Sequence, residues 1–256
     1  MGSIKMIAMA RLLGGGGGGH GKFTIVPFST GTDEEIAALI DAARAGKVDL
    51  QTEAEWAVGD TRTISIGAFT DGANISHAAQ DIDIVITSFD EYMESGNLFQ
   101  FDFKDTLATT TRMNNSGTNL GGYGESVMKK TTLPALVAAL PEWLSSRLVD
   151  FSVLASAGEK STTINTVTHN KLALRSEVEV FGTNNYAAPG EGTQLTYYTV
   201  QANRQKKQGN TGSVVNEYWL RSPAKGYSSD FVNYFYNQPS ASGASNLKVF
   251  APFGCL

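Results

Sequence analysis

The clearest helix signature in this 256-residue chain lies near its start. Thr32 precedes the segment 33–45, and Glu35 follows three residues later, so the two form a capping box. Four apolar residues of the segment share one helical face: Ile36, Leu39, Ile40 and Ala43. Gly46 then supplies a stop signal. Few comparable runs follow, so most of the chain must form short elements.

The composition agrees with this expectation, since 27 glycines and many Ser, Thr, Asn and aromatic residues favour short strands and ordered loops. We predict an α+β fold with many short antiparallel strands and two or three helices. The second helix covers residues 133–140, and Pro141 breaks it before a short turn at Trp143. Residues 105–130 are predicted to be rich in loops.

Two segments alternate polar and apolar residues in the way half-buried strands do, namely 62–66 and 81–87. In the second segment Asp81 and Asp83 alternate with isoleucines, so we expect them on the wet face rather than in a metal or acid pair. Further strands are predicted near residues 151–154, 162–167, 171–175, 195–200, 215–220, 230–236 and 247–250.

The charge of the chain argues against two classes of partner. The formal net charge is −5 and only 18% of residues are charged, so nothing attracts a phosphate backbone and we expect no nucleic acid. No apolar run approaches the roughly 20 residues that span a bilayer, so we expect no membrane insertion. We expect synthesis in a reducing cytoplasm, because Cys255 is the single cysteine, and we identify no signal peptide in residues 1–13.

The run of six glycines before His20 nearly matches a phosphate-binding loop, since Gly16 is followed after four residues by Gly21 and Lys22. That motif needs Ser or Thr directly after the lysine, and a helix behind it. Here Phe23 follows, and residues 23–28 favour a strand or extended segment. The glycines therefore predict a flexible joint rather than a nucleotide site, and we expect His20 to be a solvated loop residue.

Residues 1–30 are interpreted as a separate N-terminal arm that contains this polyglycine hinge. An arm this small cannot fold alone, so we expect it to attach to a partner or to other copies of the chain. Residues 31–256 then form the main domain. The polar basic segment 201–213 is most simply a solvated loop, with a ligand-facing role for Arg204, Lys206 and Lys207 as the alternative.

Catalysis finds little support in the sequence. His20, His77 and His169 are isolated from one another, and no nucleophile elbow or zinc spacing is present. We therefore predict no catalytic residues, no metal ligands and no cofactor. Whether the protein binds a calcium ion stays open, although no dense run of Asp and Asn has the spacing of a calcium-binding loop.

Several local motifs occur in one order along the chain: Trp56-x-Val-Gly-Asp60, Met113-Asn, Gly121-Gly-Tyr-x-x-Ser126, Leu140-Pro141, residues 170–182 (NKLALRSEVEVFG), Tyr218-Trp-Leu-Arg-Ser-Pro223 and the terminal APFGCL. Together they resemble a domain family of unknown function common in Firmicutes and their prophages. The resemblance covers about residues 32–256. It implies a variant of the C-type-lectin-like fold, related at a distance to formylglycine-generating enzymes and to variable proteins diversified by retroelements.

Formylglycine-generating enzymes work with two active-site cysteines, and this chain has one, so that activity does not carry over and we predict a protein that is not an enzyme. The motif residues are expected to be structural: Trp56, Asp60, Glu177, Trp219 and Arg221. Tryptophans are core anchors by default. Arg221 is expected to pair with Glu177 or Glu179 in a buried or half-buried ion pair that fixes a loop.

The segment between Ala224 and Asn246 is dominated by Tyr, Ser, Asn and Gly, which is the composition of antibody paratopes. In the retroelement-diversified proteins that this part resembles, the variable surface lies in such a C-terminal stretch. The resemblance thus implies a set of ligand-facing residues: Tyr227, Ser228, Asp230, Asn233, Tyr234, Tyr236 and Asn237. Ordinary polar loop and edge-strand residues are the alternative interpretation.

These observations predict a receptor-binding or adhesion protein of a phage or prophage tail. It would recognise a host cell-surface protein or glycan, attach to other virion proteins through the arm and form homotrimers, which compensate for weak single-site affinity. The expected location is the virion tail, or otherwise the bacterial cell surface. Two alternatives stay open: a structural tail, baseplate or capsid-decoration protein, and an enzyme acting on cell-wall glycans through a carboxylate such as Asp105.

Overall fold

The computed structural model describes residues 23–90 and 98–256, and these form a mixed α+β structure, as predicted. The glycine run, His20 and Lys22 lie outside the described residues. The described part contains six α-helices rather than two or three: α1 (Asp33–Arg44), α2 (Gly122–Glu125), α3 (Leu133–Ala139), α4 (Glu142–Ser145), α5 (Glu177–Phe181) and α6 (Thr196–Thr199). A π-helix over Met128–Thr132 leads into α3, and a 3-10 helix covers Gln201–Arg204.

Twelve short strands complete the described elements: β1 (Thr61–Ile66), β2 (Phe69–Thr70), β3 (Ser76–His77), β4 (Gln80–Ser88), β5 (Gln100–Phe103), β6 (Phe151–Ser156), β7 (Ile164–Asn170), β8 (Leu172–Ala173), β9 (Glu217–Pro223), β10 (Asp230–Phe235), β11 (Gln238–Gly243) and β12 (Phe253–Cys255). Their ladders are all antiparallel. Most strands have six residues or fewer, as the scarcity of long amphipathic runs predicts.

Helix α1 begins as the sequence predicts. Thr32 Oγ1 accepts the Glu35 N–H, and the Glu35 carboxylate accepts the Thr32 N–H at 2.9 Å. The apolar face of the helix packs into the core through Ile36, Leu39 and Ile40. The predicted capping box is therefore confirmed.

A five-stranded sheet with the order β1-β4-β5-β12-β8 forms the centre of the molecule. It contains the strands predicted at 62–66 and 81–87, which pair with Ile64 opposite Ile82. Asp81 and Asp83 lie on the wetter face, where they accept hydrogen bonds from Ser65 and Thr63, each at 2.6 Å. This confirms their interpretation as strand residues.

A three-stranded sheet, ordered β11-β10-β9, lies between the main core and a second, smaller one. Strand β9 contributes to both sides: Trp219 belongs to the main core, whereas Tyr218 and Leu220 belong to the smaller core. The ladder between β9 and β10 shifts register between Phe231 and Asn233. The central residues of β10 are thus buried on both faces of the sheet.

The segment 23–30, which we interpreted as part of a separate arm, packs against the domain. Phe28 is only 1% exposed, and its ring lies 5.0 Å from that of Trp56. Trp56 Nε1 donates to Val26 O at 2.9 Å, and Arg62 donates to the carbonyls of Phe28 and Gly31. The domain boundary at residue 30 is corrected accordingly, since the described part of the arm belongs to the folded unit.

Two predicted strands take other forms. Residues 196–199 form helix α6, because burial of the Tyr198 ring and its 2.6 Å hydrogen bond to Asp102 override the strand preference of a Tyr-Tyr pair. Residues 247–250 make isolated bridges instead, from Lys248 to Thr111 and from Val249 to Tyr218. Within the described ranges, no helix combines the length and apolarity that a bilayer crossing requires.

Candidate functional site

The turn between β10 and β11 holds an aromatic side chain in an unfavourable backbone conformation. Phe235 pairs with Gln238, so Tyr236 and Asn237 form a two-residue hairpin loop. Their φ angles are +46° and +67°, and positive φ at both positions is what a type I′ turn requires. Asn-Gly is the preferred pair there, and a bulky tyrosine in the left-handed region is strained.

The Tyr236 side chain is nevertheless displayed to solvent, with 56% of its surface exposed. The Phe235 ring meets it edge to face at 4.7 Å and is itself 39% exposed. Backbone strain of this kind is often found at functional sites. Adjacent exposed aromatic rings are likewise typical of surfaces that bind a partner.

A groove of about 660 Å³ adjoins this turn. Two segments form most of its wall, and the lining residues are Thr110, Gln208, Ser213, Val214, Val215, Asn216, Glu217, Asn246, Leu247, Lys248 and Val249. The Tyr236 N–H donates to Asn216 O at 3.1 Å, and Phe235 pairs with Glu217, so the turn and the groove share a border.

The floor and rim of the groove combine apolar and neutral polar groups. Val214 and Leu247 expose about half of their surfaces, at 54% and 51%. The segment 206–215 is held as a small hairpin, because Val215 N donates to Lys206 O at 2.8 Å and Gln208 N donates to Ser213 O at 3.0 Å. The exposed valine therefore sits on a supported loop.

The two charged residues of the groove neutralise each other. Lys248 Nζ contacts the Glu217 carboxylate as a close ion pair, and it lies 5.6 Å from the ring of Trp219. Partial burial lowers the pKa of Lys248 below its ordinary value. The lining thus carries no net charge, which suits an uncharged ligand.

The predicted ligand residues separate into two groups at opposite ends of β10. Tyr236 and Asn237 lie at the turn, whereas Tyr227 and Ser228 lie before the strand and Asp230 is its first residue. At about 3.3 Å per residue, the two ends are roughly 20 Å apart. One contiguous patch over residues 227–237 is therefore not what the structure shows.

The group before the strand is supported by a buried asparagine. Asn119 Nδ2 donates to the carbonyls of Tyr227 and Asp230 at 2.9 and 2.8 Å, and Asn119 N donates to Ser228 O. Tyr227 and Ser228 are exposed, and Asp230 is half-buried. This loop is accessible, but Tyr227 lies at the end of β10 away from the groove.

Asn233 and Tyr234 correct the prediction, because both are buried and cannot face a ligand. The Tyr234 ring stacks between those of Tyr218 at 4.7 Å and Phe181 at 6.0 Å. Its hydroxyl donates to Asn237 Oδ1 at 2.6 Å. Alternation along β10 does not place one face in water, because the strand lies between the two cores.

Trp56, Asp60 and Trp219 have structural positions, as the sequence predicts. Trp56 and Trp219 are buried in the main core, and Trp219 Nε1 donates to Thr111 O at 3.1 Å. Asp60 closes a turn, since its carboxylate accepts the Ala57 N–H at 2.9 Å. These residues build the frame that carries the groove.

Arg221 forms its predicted buried ion pair with Glu179 rather than with Glu177. Its two terminal nitrogens contact Glu179 at 2.5 and 2.7 Å, and they also donate to the carbonyls of Leu174 and Glu191. The nearby carboxylates raise the pKa of Arg221 despite its burial. The guanidinium thereby ties β9 to α5 and to the loop after it.

Glu177 is buried as well, but its shortest hydrogen bonds are with backbone groups. Its carboxylate accepts the N–H groups of Asn185, Tyr186 and Ala187 at 2.6, 3.0 and 2.6 Å. Glu191, also buried, accepts the Ser156 N–H at 2.7 Å, and burial raises its pKa to about 7. The buried carboxylates of this region therefore hold the backbone of neighbouring loops in place.

The sequence does not predict a second buried network of hydrogen bonds, which is centred on Asp102. Asp102 accepts from Arg175 at 2.5 and 3.0 Å and from Tyr198. Lys206 is buried, not solvated as predicted, and its Nζ donates to the carbonyls of Phe103 and Lys104 at 2.8 and 3.1 Å. Burial lowers the pKa of Lys206 to about 8. No feature of the sequence distinguishes the buried Lys206 from its neighbour Lys207.

The remaining candidates for chemistry lie in different environments. His77 is buried, with Nε2 3.0 Å from Asp71 Oδ2, and His169 is largely exposed. Asp105 accepts the Lys207 N–H at 2.7 Å. Within residues 23–90 and 98–256, no cluster of three or more His, Cys, Asp or Glu side chains could hold a metal ion.

Comparison with known families gives one match. A family model described as a domain of unknown function (DUF6273) matches residues 92–249, well over half of the chain and all of the groove. No curated protein and no solved structure matches the sequence. The motifs of β9 and α5, the groove and the strained turn thus all lie within the matched region, and the chain belongs to the DUF6273 family.

Proposed function

We propose that this protein is a non-enzymatic binding protein whose ligand site is the groove together with the Tyr236 turn. The observation that carries the proposal is the exposed tyrosine at positive φ on the border of the groove. A residue such as Asn would relieve that backbone strain, so the aromatic ring must have a use that offsets the cost.

The chemistry of the groove favours an uncharged glycan of a host cell surface as its ligand, with a host surface protein as the alternative. Amide and hydroxyl side chains at Gln208, Ser213, Asn216 and Asn246 can exchange hydrogen bonds with sugar hydroxyls. Tyr236 supplies a rigid face with a polar end, which is how tyrosine acts in paratopes. The absence of net charge in this lining argues against a polyanion.

The resemblance noted above extends the proposal to the particle. A C-type-lectin-like domain of a phage or prophage tail would display the groove, and residues 1–22 would attach it to other virion proteins. Trimers would multiply a weak single-site affinity. The location in a tail, the trimer, the lectin-like relationship and the link to Firmicutes are parts of this proposal.

The experiment compares two exposed tyrosines at the two ends of β10. The purified full chain, Tyr236→Asn and Tyr227→Asn are applied to an array of bacterial cell-wall polysaccharides and to whole bacterial cells. We expect Tyr236→Asn to weaken binding by about tenfold or more, as the loss of a central aromatic does. Tyr227→Asn serves as the matched control and should change binding by less than about twofold.

Equal losses for both variants would reject the groove as the site, and so would an unchanged affinity of Tyr236→Asn. If the chain binds neither array nor cells, but Val214→Asp and Leu247→Asp abolish self-association or incorporation into particles, the groove is a subunit interface. That result would establish the structural tail or baseplate alternative, because Val214 and Leu247 are exposed in the single chain.

A further inference from the structure

A second concave site lies on a different part of the molecule, between the helical segment 129–137 and the end of β7. It is a cavity of about 290 Å³, whose walls include Leu133, Pro134, Val137 and Leu172. At about 30 Å³ per water, it has the volume of roughly ten water molecules, which suits a ligand of about ten to thirteen non-hydrogen atoms. None of its lining residues belongs to the groove.

The backbone on both sides of this cavity is irregular. Lys129 belongs to the π-helix Met128–Thr132, and such one-turn π segments occur frequently at functional sites. On the opposite side His169 has φ = +56°, a left-handed conformation that is uncommon outside glycine. Two unfavourable backbone conformations, the π-helix and the left-handed His169, therefore flank one cavity, and such conformations cluster at binding sites.

Asn170 lines the cavity and supplies a hydrogen-bonding group. Its Nδ2 donates to Phe151 O at 3.1 Å and to Val167 O at 2.6 Å, which fixes the orientation of the amide. Its Oδ1 is buried without a donor within the described residues. A buried acceptor that lacks a donor costs stability, so a small shift of the side chain that brought this oxygen to the cavity surface and to a ligand O–H or N–H would be favoured.

The charges around the cavity are mainly positive. Lys129 and Lys171 both line it, and the rim also carries Asp150, whose Oδ2 lies 3.7 Å from His169 Nδ1. The Asp150 and His169 side chains are 56% and 84% exposed, so this contact is weakened by solvent. The two lysines thus leave the rim with an excess of positive charge.

We propose that this cavity binds a small amphipathic carboxylate that carries one hydrogen-bond donor. The apolar body of the ligand lies against Leu133, Pro134 and Val137. Its carboxylate faces Lys129 and Lys171, and its hydroxyl or N–H satisfies Asn170. This site is independent of the groove and holds whether or not the groove binds a glycan.

The test uses 3-(4-hydroxyphenyl)propionate as the probe, since it combines an apolar ring, a carboxylate and one hydroxyl. Binding to the ¹⁵N-labelled full chain is followed by amide chemical shifts. We expect saturable shifts in residues 129–137 and 169–172. We also expect about tenfold weaker binding of the corresponding neutral amide, and about threefold to tenfold weaker binding of 3-phenylpropionate, which lacks the hydroxyl.

Charge-removing variants provide the second arm of the test. The double variant Lys129→Gln/Lys171→Gln should weaken binding of the hydroxy acid by about tenfold, and the exposed control Lys160→Gln should leave it unchanged. The proposal is overturned if no probe shifts these residues at 5 mM. It is equally overturned if the amide binds as well as the acid, or if the double variant binds like the unaltered chain. Tyr236→Asn should have no effect here, which separates this site from the groove.

Discussion

Strand β9 and the β10–β11 turn belong to one sheet, yet each contains a residue that lowers the stability of the fold, and the two differ in how far neighbouring groups offset that free-energy cost. Arg221 on β9 is a buried charge whose cost is offset locally, by Glu179 and several carbonyls. Tyr236 on the turn combines an exposed ring with a positive φ, although the Phe235 ring and the Tyr234 hydroxyl contact the two turn residues. The β9 residue thus belongs to the frame of the fold, whereas the candidate function depends on an exposed residue under backbone strain.

Removing the charge of Arg221 should have the largest effect. Arg221→Met leaves Glu179 buried without its cation, so we expect a loss of about 3–5 kcal/mol in the free energy of unfolding. Urea denaturation measures this loss. The control Lys130→Met breaks an exposed pair with Glu125 and should cost less than about 1 kcal/mol. A similar loss in both variants would remove the distinction between frame and surface.

Glu191 tests the same buried frame through pH. Burial raises its pKa in the folded protein to about 7, from an ordinary value of 4.5, so the folded state favours the protonated acid. The resulting stability is fully present below about pH 4.5 and is lost as the pH rises through 7. A shift of this size corresponds to about 3 kcal/mol.

The measurement compares the unfolding free energy of the protein with that of Glu191→Gln from pH 4.5 to pH 8. In the variant we expect the unfolding free energy not to fall as the pH rises through 7, so the variant should be the more stable of the two proteins at pH 8. Parallel curves for the two proteins would show that Glu191 is ionised in the folded state at low pH. The frame would then hold a charge that the contacts described above do not offset.

Tyr234→Phe tests the link between the frame and the turn. The change removes the hydroxyl that donates to Asn237 Oδ1 while it keeps the ring stack, so we expect a cost of about 1 kcal/mol. Thermal unfolding gives the stability change. If the cost is absent, the turn holds its conformation without support from the buried ring.

The smallest effect is expected at Tyr236, with the opposite sign. Tyr236→Asn relieves the left-handed strain, so the variant should gain up to about 1 kcal/mol in stability. Tyr227→Asn, at an exposed loop position, should change stability by less than about 0.5 kcal/mol. A destabilised Tyr236→Asn would mean that the tyrosine serves the fold, and the functional interpretation of the turn would fail.

The sequence predicts those elements whose signals are local. The capping box at Thr32 and the alternation in residues 81–87 follow from short-range rules, and the structure confirms them. Helix α6 was predicted as a strand, because the contact of Tyr198 with Asp102 joins residues 96 positions apart. Local preference cannot anticipate such a contact.

The candidate site could be predicted only in part. Tyr236 and Asn237 are predicted from the composition of their segment and from the resemblance, and the structure places them at a turn beside the groove, where their role stays a prediction. Asn233 and Tyr234 were predicted wrongly, because the second core that covers β10 comes from α5 and α6, and nothing in residues 230–236 reveals that cover. The groove itself joins residues near 110, 213 and 247, so its existence depends on the tertiary fold.

The position of β12 has a consequence for how this domain reaches its native state. Residues 253–255 pair with β5 on one side and β8 on the other, and so connect positions about 100, 172 and 254 in sequence. A ribosome must therefore release nearly all of residues 100–255 before the central sheet can become continuous. Until then the hydrophobic edges of β5 and β8 stay unpaired. Folding should therefore be slow, because long loops must close before these strands can pair. The unpaired edges also need protection from aggregation while the chain is being synthesised.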